Sequence, residues 1–197
     1  MRTRDEAKTQ AIRLEAMALI SKEGFDGLSM HKLARAVGVS VATIYIYYRD
    51  REDLILSLCR EEMERMTGAM LEGFDPALPF AEGLRIQWRN RARFFLDHPV
   101  QAQFMERMRH SPYHDKVMKF LGKEFTDAMW SFVCNAVRRK ECVKVPIEVY
   151  WSIAYAPLYQ LLKFHQDGAR FPGGEPFTLT DAAMNNALKL VLKALAP

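Results

Sequence analysis

The chain has 197 residues, is 49% hydrophobic and 26% charged, and carries a formal net charge of +4. That length buries a substantial core without covalent staples, and that balance excludes disordered, collagen-like and disulfide-dependent classes. A pI near 9.0 is compatible with a polyanionic partner, while the three widely spaced cysteines, Cys59, Cys134 and Cys142, argue for a reducing compartment and against a zinc finger.

The opening MRTRDEAKTQ lacks an apolar core, so no secretory signal is expected, and the longest uncharged stretch, residues 149–162, is too short and proline-broken to span a bilayer. The expectation is a cytoplasmic protein with no membrane partner. Ile12, Ala16, Leu19 and Ile20 repeat at helical spacing and predict a first helix over about 5–23, ended by Gly24, with Phe25 and Leu28 folding back onto it. Ser29 is a natural N-cap for a second helix whose inward face is Met30, Leu33, Ala34 and Val37.

Gly38 suits the tight turn that follows, because it has no Cβ to clash at positive φ, and Ser40 can cap a third helix over about 41–47. Ile44 and Tyr48, four apart, read as core, and Val39 plugs the turn from below. Val41, Ala42, Thr43, Tyr45, Ile46 and Tyr47 remain, too many for one seven-residue helix to bury inward, so some must face a partner. A helix-turn-helix puts its second helix in the DNA major groove, where hydroxyls bond phosphates or base edges and small apolar groups touch thymine methyls. Asp50 then caps a fourth helix over about 51–72, with Glu52 and Asp53 in its first turn and Arg51 free to reach a phosphate.

The first 57 residues hold nine Lys and Arg against eight acids, so DNA affinity must come from placement rather than bulk charge. Arg2, Arg4 and Lys8 before the first helix, and Arg49 and Arg51 after the third, are the candidate phosphate neutralisers, with a solvated basic end as the alternative for Arg2 and Arg4.

Residues 5–58 resemble the N-terminal domain of the TetR family of bacterial transcriptional regulators. The resemblance rests on Ala16, Gly24, the block LSMHKLARAVGVS from Leu28 to Ser40, Thr43-Ile44-Tyr45, the pair Tyr47-Tyr48, and Arg51-Glu52-Asp53-Leu54. The family often has Lys or Gly around Val41 and Ala42, Phe at Tyr48 and Ser-Lys at Asp50-Arg51, which bears on the base contacts and not on the fold. The resemblance implies an all-α chain: a three-helix helix-turn-helix domain over 1–50, with the start of the fourth helix to about 58, then a helical effector-binding and dimerisation domain over 51–197. It also implies a DNA face of Ser40, Val41, Ala42, Thr43, Tyr45, Ile46 and Tyr47, with Tyr45, Tyr47 and Arg51 mainly on phosphates. Ser29 and His31 occupy positions that often contact the operator; an exposed surface histidine is the other reading of His31.

The segment GFDPALP over 73–79 is the best domain boundary, and the residues beyond it are bulkier. Breakers bracket further helices over about 80–97, 100–109, 112–139, 146–166 and 179–195, with a linker over 167–177. The helix over 146–166 is apolar nearly all round, and Met184, Ala187, Leu188, Val191 and Leu195 stripe its follower, so these last two helices are expected to pair across a two-fold axis into a four-helix bundle, as the family does.

By resemblance, Trp88, Phe95, Phe104, Met108, Met118, Phe125, Met129, Trp151, Tyr155 and Tyr159 sit on helices that surround the family's effector pocket, with ordinary core as the alternative. Arg85, Arg89 and Arg93, joined by Arg91, read as a solvated face opposite Trp88, or as a site for an anionic effector. Glu106, His110 and His114 have metal-ligand spacing, but Ser111-Pro112 breaks the register, so no metal is expected. No P-loop, GxSxG, HExxH or dinucleotide fingerprint occurs, and neither an enzyme nor a cofactor is expected. The expected function is a homodimeric repressor released from double-stranded operator DNA by a small-molecule effector. A regulator controlled by a partner protein is the first alternative, and a small helical enzyme using His110 and His114 the second.

Overall fold

The computed structural model describes residues 2–168 and 174–197, with side chains from residue 6 onward. The expected contacts of Arg2 and Arg4, and part of the 167–177 linker, lie outside the described residues. Among the described residues the regular structure is helical throughout: α1 (Arg2–Glu23), α2 (Met30–Val37), α3 (Val41–Tyr47), α4 (Arg51–Leu71), α5 (Phe80–Asp97), α6 (Pro99–Arg109), α7 (His114–Met118), α8 (Lys123–Arg138), α9 (Ile147–Ala154), α10 (Ala156–Gln166) and α11 (Asp181–Ala194), plus one 3-10 turn at Phe25–Gly27. None of these helices is long and apolar enough to cross a membrane.

Two compact units form: Met1–Met66 with His98–Leu121, and Thr67–Asp97 with Gly122–Pro197. The first is built where the apolar stripes of α1 to α4 meet. Ile12, Ala16 and Ile20 of α1, Leu33 of α2, Ile44 of α3, and Leu54 and Ile55 of α4 are wholly enclosed, each leucine and isoleucine among them contributing about 1.5–3 kcal/mol by leaving water. The helix α6 lies against α1 and adds Phe104, Met105 and Met108 to the same core, with Val117 of α7. Arg107 of α6 donates from Nε to the Ser21 carbonyl at 2.7 Å and from Nη2 to that of Lys22 at 3.3 Å. These carbonyls belong to the last turn of α1, where acceptors lack helical partners and a cation suits the dipole.

The second unit is organised on α5. Gln87 and Asn90 donate to the Met70 carbonyl at 2.9 and 3.2 Å, and Asn90 also to that of Glu72 at 2.7 Å, satisfying the end of α4. Gly83 lets α5 approach α8: a Cβ there would sit 2.3 Å from the Phe132 ring. That ring packs on Phe74 and Phe80 at centroid distances of 5.1 and 5.7 Å.

Two expected helices are each broken in two. The 146–166 span divides into α9 and α10 at Tyr155, whose backbone sits at φ −126, ψ −31; Pro157, two residues on, has no N–H to carry the helical ladder through. The 112–139 span divides into α7 and α8, with Gly122 extended at φ −62, ψ 147. Because α6 ends at Arg109 and α7 starts at His114, the two histidines do not share a helical face. His110 lies 3.8 Å from Glu106, and His114 lies 3.1 Å from Asp115.

Candidate functional site

The turn between α2 and α3 is set by local chemistry. Ser29 caps α2, its side chain accepting from the Lys32 amide at 3.1 Å. Gly38 closes α2 in the left-handed region at φ 73, ψ 33, where a Cβ is disfavoured. Ser40 caps α3 by accepting from the Thr43 amide at 3.1 Å, and its hydroxyl meets that of Thr43 at 2.8 Å. The Asp50 carboxylate accepts from the Asp53 amide at 2.8 Å, and Asp53 accepts from the Arg49 amide at 2.9 Å, so the start of α4 is pinned from both sides. The Asp53 N–H, then the Arg49 guanidinium, holds the Asp50 carboxyl below its ordinary pKa.

These caps orient a seven-residue helix that could not persist alone. Ile44 is buried and Tyr48 is 6% exposed, so they anchor it inward. Ala42, Tyr45 and Ile46, spaced at three and four, share the opposite, exposed face. Tyr45 is 50% exposed and Ile46 78% exposed. Ile46 is therefore not part of the core.

The ten residues expected at DNA divide accordingly. Ser29, His31, Ser40, Ala42, Tyr45 and Ile46 are exposed, and Thr43 is half-exposed beside Ser40. Val41 and Tyr47 are partly buried against the first unit's core, so these two are turned further inward than expected. Arg51, expected to be free for a phosphate, is engaged: Nε donates to the Leu28 carbonyl at 2.8 Å, Nη2 donates to that of Phe25, and Asp26 lies 3.9 Å away. The exposed basic group that follows α3 is instead Arg49, 82% exposed and paired with Asp50 at 3.1 Å.

The expected effector residues do not form one set. Phe104 and Met108 belong to the core of the first unit, because α6 packs on α1, and Met118 is 40% exposed on α7. Trp88, Phe95, Phe125, Met129, Trp151, Tyr155 and Tyr159 lie in the second unit. There Trp88 donates from Nε1 to the Ala154 carbonyl at 2.7 Å, and Tyr155 meets Trp151 at 4.6 Å between ring centroids. Tyr159 packs edge-on against Phe95 at 5.6 Å. A shallow pocket between α5 and α11 is lined by Arg85, Asn185, Leu188, Lys189 and Leu192, none of them among the expected ten.

Arg91 too lies elsewhere than its neighbours in the sequence suggest. Arg85, Arg89 and Arg93 are exposed as a solvated face should be, but Arg91 is wholly buried. It lies four residues after buried Gln87 and three after Trp88, so helical spacing already put it on the inner face. Its guanidinium stacks over the Tyr155 ring at 4.2 Å and stands 5.9 Å from that of Trp151. Tyr150, which no motif singled out, is 1% exposed and packs edge-on against Tyr155 at 6.2 Å between ring centroids.

Residues 12–58 match the model of the family described as bacterial regulatory proteins, tetR family. The chain is 25% identical over 121 residues to an uncharacterised helix-turn-helix transcriptional regulator of Haemophilus influenzae, covering 61% of this chain and 63% of that one. It is 33% identical over 57 residues to a fatty acid metabolism regulator protein of Bacillus subtilis, covering 29% of each. It therefore spans less than two thirds of either relative. The crystal structure of a TetR-family transcription regulator from Marinobacter aquaeolei superposes with a TM-score of 0.75 at 26% identity, over 100% of this chain and 99% of that one.

Proposed function

The chain belongs to the TetR family of bacterial transcriptional regulators, and from that premise we propose that it is a cytoplasmic homodimeric repressor whose hold on operator DNA is released by a small molecule. In this reading residues 1–50 read DNA, and residues 51–197 carry the effector site and the two-fold interface. The observation that carries it is the outward face of α3, where Tyr45 and Ile46 stand 50% and 78% exposed over the buried anchors Ile44 and Tyr48. Tyr45 would hold a phosphate, Ile46 and Ala42 would meet thymine methyls, and Ser40 and Thr43 would offer hydroxyls to the backbone.

Dimerisation would run through α10 and α11. Leu190 of α11 is 69% exposed, apolar area that a second copy can cover. Two recognition helices would then enter successive major grooves about one helical turn apart. Release follows only if the effector binds the DNA-incompetent arrangement more tightly, so operator must weaken the effector in return.

The test is selection of bound duplexes from a random pool, followed by fluorescence anisotropy and hydroxyl-radical footprinting. Two protected half-sites about one turn apart, with affinity that falls as salt rises, are expected. Binding no tighter than to competitor DNA, or effector affinity identical with and without operator, ends the reading.

A further inference from the structure

Among the described residues, Arg91 is the one cation buried completely. Its Nη1 donates to the Gln87 backbone carbonyl at 3.2 Å and to the Gln87 side-chain oxygen, both uncharged acceptors. Its Nε and Nη2 have no acceptor, and among the described residues no carboxylate lies within ion-pair distance. These two N–H groups share one edge of the planar guanidinium, the edge that grips a carboxylate through two parallel hydrogen bonds. Two further buried donors lie beside it. The hydroxyls of Tyr150 and Tyr155, in side chains 1% and 0% exposed, have no hydrogen-bond partner outside this pair. The two hydroxyls lie near enough to share one hydrogen bond between them, which still leaves the proton of the accepting hydroxyl without an acceptor. Buried donors are almost always satisfied, so the open Nε–Nη2 edge of a buried charge, with a further unmet hydroxyl beside it, marks a place prepared for something else.

We propose that Arg91, with Tyr150 and Tyr155, anchors a small organic monocarboxylate with an apolar or aromatic body. This rests on the reading that the second unit takes an effector, and it names that effector's chemistry. One buried cation balances one negative charge, whereas a phosphate dianion would leave charge uncompensated in a low-dielectric site. A carboxylate presents about four lone-pair positions, which the two N–H groups and two hydroxyls can fill. The surroundings set the rest of the molecule. Trp88 is already committed to the Ala154 carbonyl, and the rings of Trp151 and Tyr155 face the guanidinium, so the walls offer apolar contact. Trp151 is 38% exposed and gives the site an outer side. Tyr155 is also the break between α9 and α10, so an occupant would bear on the junction of those two helices.

Full-length protein is titrated calorimetrically, and followed by thermal shift, with 4-phenylbutyrate, octanoate, octanamide and octyl phosphate. Saturable binding of at least one carboxylate is expected, at least tenfold tighter than that of octanamide. Arg91→Lys, which keeps the charge and loses the two-pronged grip, should weaken it at least tenfold, and Tyr150→Phe several-fold; Arg91→Met should abolish it. Arg91→Lys keeps the question open to decision if Arg91→Met does not fold. Equal binding of octanamide, unchanged affinity in Arg91→Lys, tighter binding of octyl phosphate, or no saturable binding of either carboxylate each overturns the assignment. Carboxylate binding that leaves operator affinity unchanged upholds the anchor and removes the release reading. Operator release by octanamide without carboxylate binding does the reverse.

Discussion

Arg51 at the start of α4 donates from Nε to the carbonyl of Leu28 at 2.8 Å, across 23 residues of chain. Its Nη2 reaches the Phe25 carbonyl as well, so one guanidinium fastens the turn before α2 to the helix after α3. A residue whose type suggests a phosphate contact is, in this fold, a strut of the unit that carries α3.

Arg51→Ala is therefore expected to lower unfolding stability by about 1–3 kcal/mol, the scale of a charge-assisted hydrogen bond to a buried acceptor. Arg51→Lys should not restore it, because a point charge cannot span two carbonyls. Urea denaturation checks this. An unchanged midpoint would mean the strut bears no weight, and a salt dependence of DNA binding flattened by about one unit would return Arg51 to the phosphates.

Tyr45→Ala and Ile46→Ala touch side chains with little to lose in the folded state, so stability should stay within about 0.5 kcal/mol of the parent. DNA binding should fall in both, for Tyr45→Ala evenly across sequences and for Ile46→Ala chiefly at thymine positions, by about 1–3 kcal/mol. Anisotropy on the selected operator and on single-base variants separates the two. Undiminished affinity in both would remove the α3 face as the DNA contact.

Ser40→Ala removes the hydroxyl that accepts from the Thr43 amide, and loss of such a cap costs about 0.5–2 kcal/mol. The effect on DNA affinity should exceed that of an ordinary surface change, since a seven-residue helix depends on its cap for orientation. Gly38→Ala, at φ 73 with open space around it, should cost about 1–2 kcal/mol through backbone strain alone. Thermal melts of both variants, with the Ser40→Gly control nearer the parent, test this.

Glu62 is 1% exposed, and both its carboxylate oxygens lack hydrogen bonds. Burial raises its pKa, against the opposing pull of Arg65, Arg13 and His98. The folded chain thus holds this proton to higher pH than the unfolded chain does. Its favourable contribution is complete below the ordinary carboxylate value and is lost as pH rises through the raised one. Glu62→Gln should accordingly melt higher than the parent at pH 8 and lose that advantage at pH 4. A variant that melts lower at pH 8 would show the ionised form to be the stabilising one.

Cys59 is wholly buried, and burial pushes its thiol up to about 12. Cys142 is raised by burial too, whereas Cys134 is partly exposed. Titration of the native protein with a thiol reagent at neutral pH should detect Cys134 alone, and denatured protein all three. Rapid native labelling of Cys59 would contradict its enclosure.

Caps, breakers and helical periodicity are interactions among residues no more than four apart, so the amino-acid order alone determined α1 to α6, the Gly38 turn, the Ser29, Ser40 and Asp50 caps, and the inward placement of Ile44 and Tyr48. The same local rule placed Arg91 beside Trp88 and Gln87, a signal masked because an arginine among arginines suggests solvent. What covers a given face is a matter of residues far apart in the chain, and only the tertiary structure decided it. Packing of α6 on α1 drew Phe104 and Met108 into the first unit's core, the carbonyls of Phe25 and Leu28 claimed Arg51, and burial of Arg91 over the Tyr155 ring left one guanidinium edge without an acceptor.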